Sequence, residues 1–422
     1  MHYEVNVIMS HDPLRKDIIP LTSLPYFTGS ACIRFERLDE LFKEVEISDH
    51  VVYHIDAESI LFRLYRKRTL GMLSHSEREY LVVDLVIGFM NVLAHYRLYA
   101  ASRLQAKSTI LIYWNYILPE YQKSYYKNYR KNYYEKYDFH HPDYSMINTV
   151  IFSAMKMIRN MVQYIDHIYW ISNENIDTFT TMYYILHNTK FRKSKYTNIL
   201  FTRNVFATQM IDHRIYQLYQ RKQYDPEDPN HKIDTSFLIH PGNVYKNGIF
   251  YGHKISDIKE IPTEFLPIIW SVSRCSDIDV KPLGLYKTIN SAYDIVRKLY
   301  EKEVLDPQDT IQQFLSKYKD HVPKKKREAV TELEEDIIRY HKFLSLEIAS
   351  YSIQKQQRTQ LFHDWVDLYD QPALEKINEV LAFHYDSPAQ NLINFQALNL
   401  TEPLFRQSNK EYNLSSMIDY ME

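Results

Sequence analysis

Apolar positions along this chain change their period several times, and the changes mark out its elements. VVYHIDAESILFRLYR at 51–66 opens with a continuous β-branched run, as a buried strand does. Asp56 closes that run and a helical pattern follows. Residues 77–104 read as one long helix, and STILIYW at 108–114 as a second buried strand. Helical patterning over 145–165 leads to a short strand, HIYWIS at 167–172. NENIDTFTTMYYILHN at 173–188 begins with cap-forming residues and continues as a helix. NILFT at 198–202 reads as another strand, with a helix expected from there through Leu218.

The polar, Pro-punctuated stretch QYDPEDPNHKID at 223–234 predicts a loop. Two β-like pieces, SFLIH and GIFYGHKI, follow it. From Ile261 onward the pattern is helical, with a break expected at PKKKRE, residues 323–328. Ahead of the first strand, residues 1–48 form an irregular leader with one helix around FERLDELFKEVEI. The last fifteen residues carry a weak pattern. Strand–helix alternation over about 51–220 predicts an α/β fold, with a mostly parallel sheet covered by helices on both faces. A helical C-terminal half is appended to it.

Composition narrows the function classes. At 422 residues the chain can hold two or three domains, and 25% charged with 45% hydrophobic residues fits a soluble globular protein. A net charge of −2 excludes a uniformly basic coat, so nucleic-acid binding would need a local patch. Two cysteines, Cys32 and Cys275, make no disulfide framework and suit a reducing, cytoplasmic setting. The N-terminal stretch lacks the apolar core of a signal peptide. LVVDLVIGFMNVLA at 81–94 is too short to span a bilayer and reads as a buried helix. Tyr numbers 37 against 7 Gly, a bias that points to an AT-rich genome such as that of a phage or virus and its infected bacterial host. No GxGxxG or GxxxxGK[ST] loop exists.

The order of the pieces resembles the 5′–3′ exonuclease and flap endonuclease family. VVYHIDAESILFR resembles its first strand with a metal-binding Asp, and STILIYW with LPEYQKSYYKNYR its second strand and the "PEYK…R" start of the helical arch. NENIDTFTTMYYI resembles the Glu-x-Asp-Asp helix start, and NILFTRNVFATQMID the strand ending "ST-D-x-D…QL". RCSDIDVKPLGLYKTINSAYDIV resembles the helix–three-turn–helix duplex-binding motif. The resemblance implies a PIN-like α/β core over 49–260 with an arch-like segment at 116–144. It also implies a helix–three-turn–helix-like region at 261–318, leaving 319–422 as a helical extension.

Family catalysis uses clustered carboxylates to hold two divalent ions. Asp56, Glu174, Asp177 and Asp277 stand at four of those positions. Ile176, Trp114 and Val205 stand where acids are expected, and Arg203 and Arg274 have replaced two more. Guanidinium groups there would neutralise the remaining acids in place and repel a metal. The implied protein is a degenerate, inactive relative needing no cofactor; Mg²⁺ or Mn²⁺ would be required only by an active metal-dependent 5′ nuclease built on the same four acids. More plainly, Asp56 and Glu174 could be a strand-end and a helix-start acid, and Asp277 a cap. Gly284 is kept but Tyr286 stands at the second motif glycine, where a phosphate would approach; Lys287 and Thr288 could still donate to one.

The stretch SYYKNYRKNYYEKY at 124–137 holds six tyrosines and four cations. On a helix, Tyr121, Tyr125, Tyr129, Tyr133 and Tyr137 sweep one arc, with Lys123, Lys127, Arg130 and Lys131 on the next. Cations beside stacking rings suit single-stranded nucleic acid, and the arc equally suits a core or partner-facing stripe. HHPD at 140–143 lacks a metal-ligand spacing, and PKKKRE reads as a solvated helix start. Three functions follow: an inactive flap-endonuclease-like subunit binding single-stranded or flap-like DNA, an active nuclease, or a structural component of a phage, replication or transcription assembly. None involves a membrane.

Overall fold

The structure, a computed structural model, describes residues 32–64, 75–114, 120–128, 145–162, 165, 167–171, 176–224, 232–251, 258–274, 283, 285–353 and 398. It is a mixed α/β fold around a mostly parallel six-stranded sheet in the order β3-β2-β1-β4-β5-β6. The strands are β1 (His50–Asp56), β2 (Lys107–Tyr113), β3 (Ile168–Ile171), β4 (Thr197–Phe201), β5 (Ile215–Tyr224) and β6 (Lys232–Ile239). Only the β5–β6 pair is antiparallel among the ladders described, with Gln217 opposite Ile239.

Two compact units are present. The first comprises residues 1–114, 135–171 and 362–420. It holds α1 (Phe35–Phe42), β1, α2 (Ala57–Leu64), α3 (His75–Ser102), β2, α5 (Ser145–Val162) and β3. Val51 to Asp56 are all buried, which explains why β1 reads as an unbroken apolar run rather than an alternating one. His54, deep in that strand, pairs its Nδ1 with the Tyr113 hydroxyl at 2.9 Å. Among the described residues one helix is long and apolar enough to cross a membrane, Leu81–Ser102, with mean hydropathy 1.5. The apolar stretch is therefore longer than the run at 81–94 suggests. It is the core helix of this unit, 78% buried, and packs against α2, α5 and β2.

The second unit comprises residues 115–134, 172–361 and 421–422. It contains α4 (Glu120–Tyr125), α6 (Thr178–Asn188), β4 to β6, α7 (Leu266–Val272), α8 (Ile289–Glu301), α9 (Ile311–His321), α10 (Lys324–Glu332), α11 (Glu334–Leu344) and α12 (Leu346–Ser350). Phe206 links its layers, lying 6.1 Å from Phe179 and 5.5 Å from Trp270.

Three local expectations are corrected in this unit. The segment after β4 is not a helix through Leu218: a 3-10 turn at Val205–Met210 gives way to β5. Within β5, Gln217 is buried and donates to the carbonyls of Thr202 and Asn204, at 3.1 Å each. GIFYGHKI does not open as a strand, because Val244–Ile249 forms one π-helical turn. The Glu260 carboxylate accepts from the Tyr245 and Lys246 amides at 3.0 and 3.2 Å and so holds that turn. The loop expected over 223–234 is shorter, since Gln223 pairs with Ile233 and Tyr224 with Lys232.

Candidate nucleic-acid interface

Helix α4 falls within the segment expected to be arch-like, 116–144, and ends at Tyr125; a turn follows at Lys127–Asn128. The tyrosine arc is therefore not carried by one helix through 137, and residues 129–144 lie outside the described residues. That range includes Tyr129, Arg130 and Lys131. Lys123 and Lys127 are exposed. The rings beside them are engaged within the unit. Tyr126 stacks on Phe343 of α11, with centroids 5.6 Å apart and planes at 10°, and meets Tyr340 edge-on at 5.5 Å. Tyr121 donates to the Lys342 carbonyl at 3.4 Å and lies 5.1 Å from Tyr125. Burial, then the neighbouring Tyr125 and the Asp177 carboxylate, push the Tyr121 phenol pKa upward, so it remains a donor.

Between the tyrosines, Gln122 is fully buried. Its Nε2 donates to Asp177 Oδ2 and, at 3.2 Å, to Thr180 Oγ1. Facing a carboxylate fixes the amide's orientation, because only the NH₂ side can donate. Asp177 is the N-cap of α6: Oδ1 accepts from the Thr180 amide at 2.8 Å and Oδ2 from the Thr180 hydroxyl at 3.0 Å. Only 1% of Asp177 is exposed. A candidate metal ligand is thus a buried cap closed by three donor contacts. Sequence reading passed over Gln122, because its partners Asp177 and Thr180 lie 55 and 58 residues away.

Asp56 ends β1 and accepts from the Ser59 hydroxyl at 2.6 Å and the Ser59 amide at 3.5 Å, as a helix-start carboxylate does. Trp114, at the second-strand acid position, packs edge-on to Trp170 at 6.1 Å and against Phe152 at 5.6 Å. Arg203 is exposed after β4, beside Asn204, whose side chain caps the 3-10 turn. Arg274 is exposed after α7. Glu174 and Asp277 lie outside the described residues. Among the described residues, no three His, Cys, Asp or Glu side chains gather as a metal centre needs. The donors around Asp177 do not suit a divalent ion at that carboxylate.

Within 261–318, where a helix–three-turn–helix was expected, Lys287 is exposed just ahead of α8. Thr288 is the α8 N-cap, accepting from the Ser291 amide at 3.3 Å. Tyr286 is held by its hydroxyl against Tyr318 and by Lys326, whose Nζ lies 4.4 Å from the ring centroid. The same Nζ donates to the Leu285 carbonyl.

The chain is similar to 5′-exonucleases and flap endonucleases. Zinc-bound T5 5′-exonuclease matches with TM-score 0.49 and 10% identity, over 75% of this chain and 98% of that one. The bacteriophage T5 flap endonuclease, as a pseudo-enzyme–product complex with DNA and metal ions, matches with TM-score 0.49 and 11% identity, over 78% and 99%. Human GEN1 in complex with Holliday junction DNA matches with TM-score 0.36 and 7% identity, over 84% and 74%. Such likeness concerns the course of the chain and leaves its chemistry to the residues. No family model and no curated protein matches it.

Proposed function

We propose that this chain is a flap-endonuclease-like protein that binds nucleic acid as a subunit and does not hydrolyse it. The observation that carries this reading is Asp177, whose carboxylate is buried as a helix cap and hydrogen-bonded to Gln122 and Thr180. A buried carboxylate held as a helix cap by three donors is poorly placed to ligate a metal. Trp114 on its two aromatic neighbours supports the same conclusion. Exposed Lys123, Lys127 and Lys287 are the described cations of the expected binding set, and would meet phosphates.

The test uses purified full-length protein and a labelled 5′-flap DNA, in Mg²⁺ and then Mn²⁺, with binding and cleavage scored on the same samples. Salt-sensitive binding without cleavage, weakened in Lys123→Ala/Lys127→Ala, is the expected result. Metal-dependent cleavage abolished by Asp56→Ala would overturn it in favour of an active 5′ nuclease. Neither binding nor cleavage would leave a structural subunit of an assembly.

A further inference from the structure

The turn that joins α6 to β4 reads TKFRKSKY at 189–196, with four cations and no carboxylate. A helix C-terminus gains from one or two cations near its last carbonyls. Four within six residues exceed that need. Residues 192–195 are exposed, so Arg192, Lys193 and Lys195 reach solvent, and Lys190 is half-buried beside them.

This is a built turn. Residues Lys190–Arg192 form one 3-10 turn, begun by the Thr189 hydroxyl, which accepts from the Phe191 amide at 3.4 Å. The Lys193 amide returns to the Lys190 carbonyl at 3.0 Å, and the Tyr196 amide to the Lys193 carbonyl at 3.0 Å. Asn198, inside β4, donates to the Phe191 carbonyl at 2.9 Å. Phe191 and Tyr196 are buried and meet edge-on at 5.5 Å, anchoring the turn from below. Lys190 and Lys195 lie over those rings, 5.6 and 5.2 Å from the centroids. Burial lowers the Lys190 pKa, and the charges of Lys195 and Lys193 lower it further, so these ammonium groups repel one another.

We propose that the 189–196 turn is a second nucleic-acid contact, in which Lys190, Arg192, Lys193 and Lys195 grip consecutive backbone phosphates without reading base sequence. The choice of nucleic acid rests on what the turn presents. Its two rings are buried, so it offers no apolar side chain to a lipid bilayer or to the core of a protein interface. Arg192 adds a planar fork suited to phosphate oxygens. The turn lies at the opposite end of the eleven-residue helix α6 from Asp177, about 18 Å away at 1.5 Å per residue. The inference rests on the nucleic-acid-binding reading above and assigns it residues outside the arch-like segment.

Fluorescence anisotropy with the labelled 5′-flap DNA, at several KCl concentrations, tests it. The quadruple variant Lys190→Ala/Arg192→Ala/Lys193→Ala/Lys195→Ala is compared with the parent and with Lys123→Ala/Lys127→Ala. Circular dichroism melting confirms that each variant is folded; should the quadruple fail, the exposed triple variant that keeps Lys190 replaces it. The expected result is an affinity loss of about thirtyfold or more near 0.1 M salt. The slope of log K against log salt should fall by about 3–4 for the quadruple variant, one per lost phosphate contact. An unchanged affinity and slope, with binding lost only in Lys123→Ala/Lys127→Ala, would overturn this inference and leave the proposed function standing. No DNA binding by the parent would overturn both. Parent binding to phosphatidylserine vesicles or polyglutamate, lost in the variant while DNA binding is kept, would assign the turn to another partner and overturn it.

Discussion

The two ends of helix α6 treat charge in opposite ways. At the N-terminal end the Asp177 carboxylate is 1% exposed and closed by Thr180 and Gln122. At the C-terminal end Arg192, Lys193 and Lys195 are exposed on a rigid turn. The helix dipole favours both placements, so the dipole alone does not explain the difference. What separates the ends is the neighbour. Gln122 comes from α4 as a neutral donor and converts the acid into internal structure, whereas the basic end carries no carboxylate in its own turn. An acid absorbed in this way supports folding; cations left outside support binding. Substitutions at the first end should change stability, and substitutions at the second should change affinity.

The largest effect is expected for Gln122→Glu. It removes the donor facing Asp177 and places two buried carboxylates together, a loss of roughly 3–5 kcal/mol at pH 7 by urea denaturation. The new acid titrates higher in the folded protein than in the unfolded chain. The folded state then binds more protons above pH 4.3, so stability should recover as pH falls. A variant equally unstable at pH 5 and pH 7 would show that Asp177 does not face Gln122 as a carboxylate.

Acidification of the parent protein should act in the opposite direction and somewhat less strongly per group. Burial holds His341 at about 4, and burial, then Arg192, hold His187 at about 4 despite Asp212. Both lie below the ordinary histidine value, so the unfolded chain binds more protons between about pH 6.5 and 4. Stability present above pH 6.5 is lost as pH falls through that window, up to roughly 3 kcal/mol for each group. Stability measured at pH 7, 6, 5 and 4 checks this, and His341→Phe should flatten the slope. An unaltered slope in that variant would show that His341 titrates normally.

Legibility in the sequence followed the same division between inside and outside. The continuous apolar runs of β1 and β2 and the cap at α6 were readable because each is decided within a few residues. The β5 strand was missed because Gln217 and Gln220 are buried polar positions whose partners, among them the Thr202 and Ser236 groups, come from other segments. Asp177 stood out by its place beside a helix start, but its closure by Gln122, 55 residues away, has no local signal. The four cations of 189–196 were passed over in the sequence, and the burial of Phe191 and Tyr196 beneath them becomes apparent only in the structure.

The tyrosines give a middle-sized test. Tyr126→Ala removes a ring packed on Phe343 and Tyr340 and should cost about 2 kcal/mol in thermal or urea denaturation, with DNA affinity nearly unchanged. A normal melting curve with tenfold weaker DNA binding would instead make Tyr126 a base-stacking residue.

The smallest effects come from two neighbours ahead of α8. Thr288 caps the helix through the Ser291 amide, so Thr288→Ala should cost about 1 kcal/mol of stability and leave affinity for DNA alone. Lys287 is exposed one residue earlier. Lys287→Ala should leave the melting temperature within a degree or two and reduce the salt dependence of DNA binding by about one phosphate contact. Measured together, the pair asks whether the division seen along α6 holds across a single peptide bond. It holds if Thr288→Ala changes only the melt and Lys287→Ala changes only the salt slope. If Lys287→Ala changes neither, this helix start is structural, and the cations of the α6–β4 turn and of α4 carry the binding.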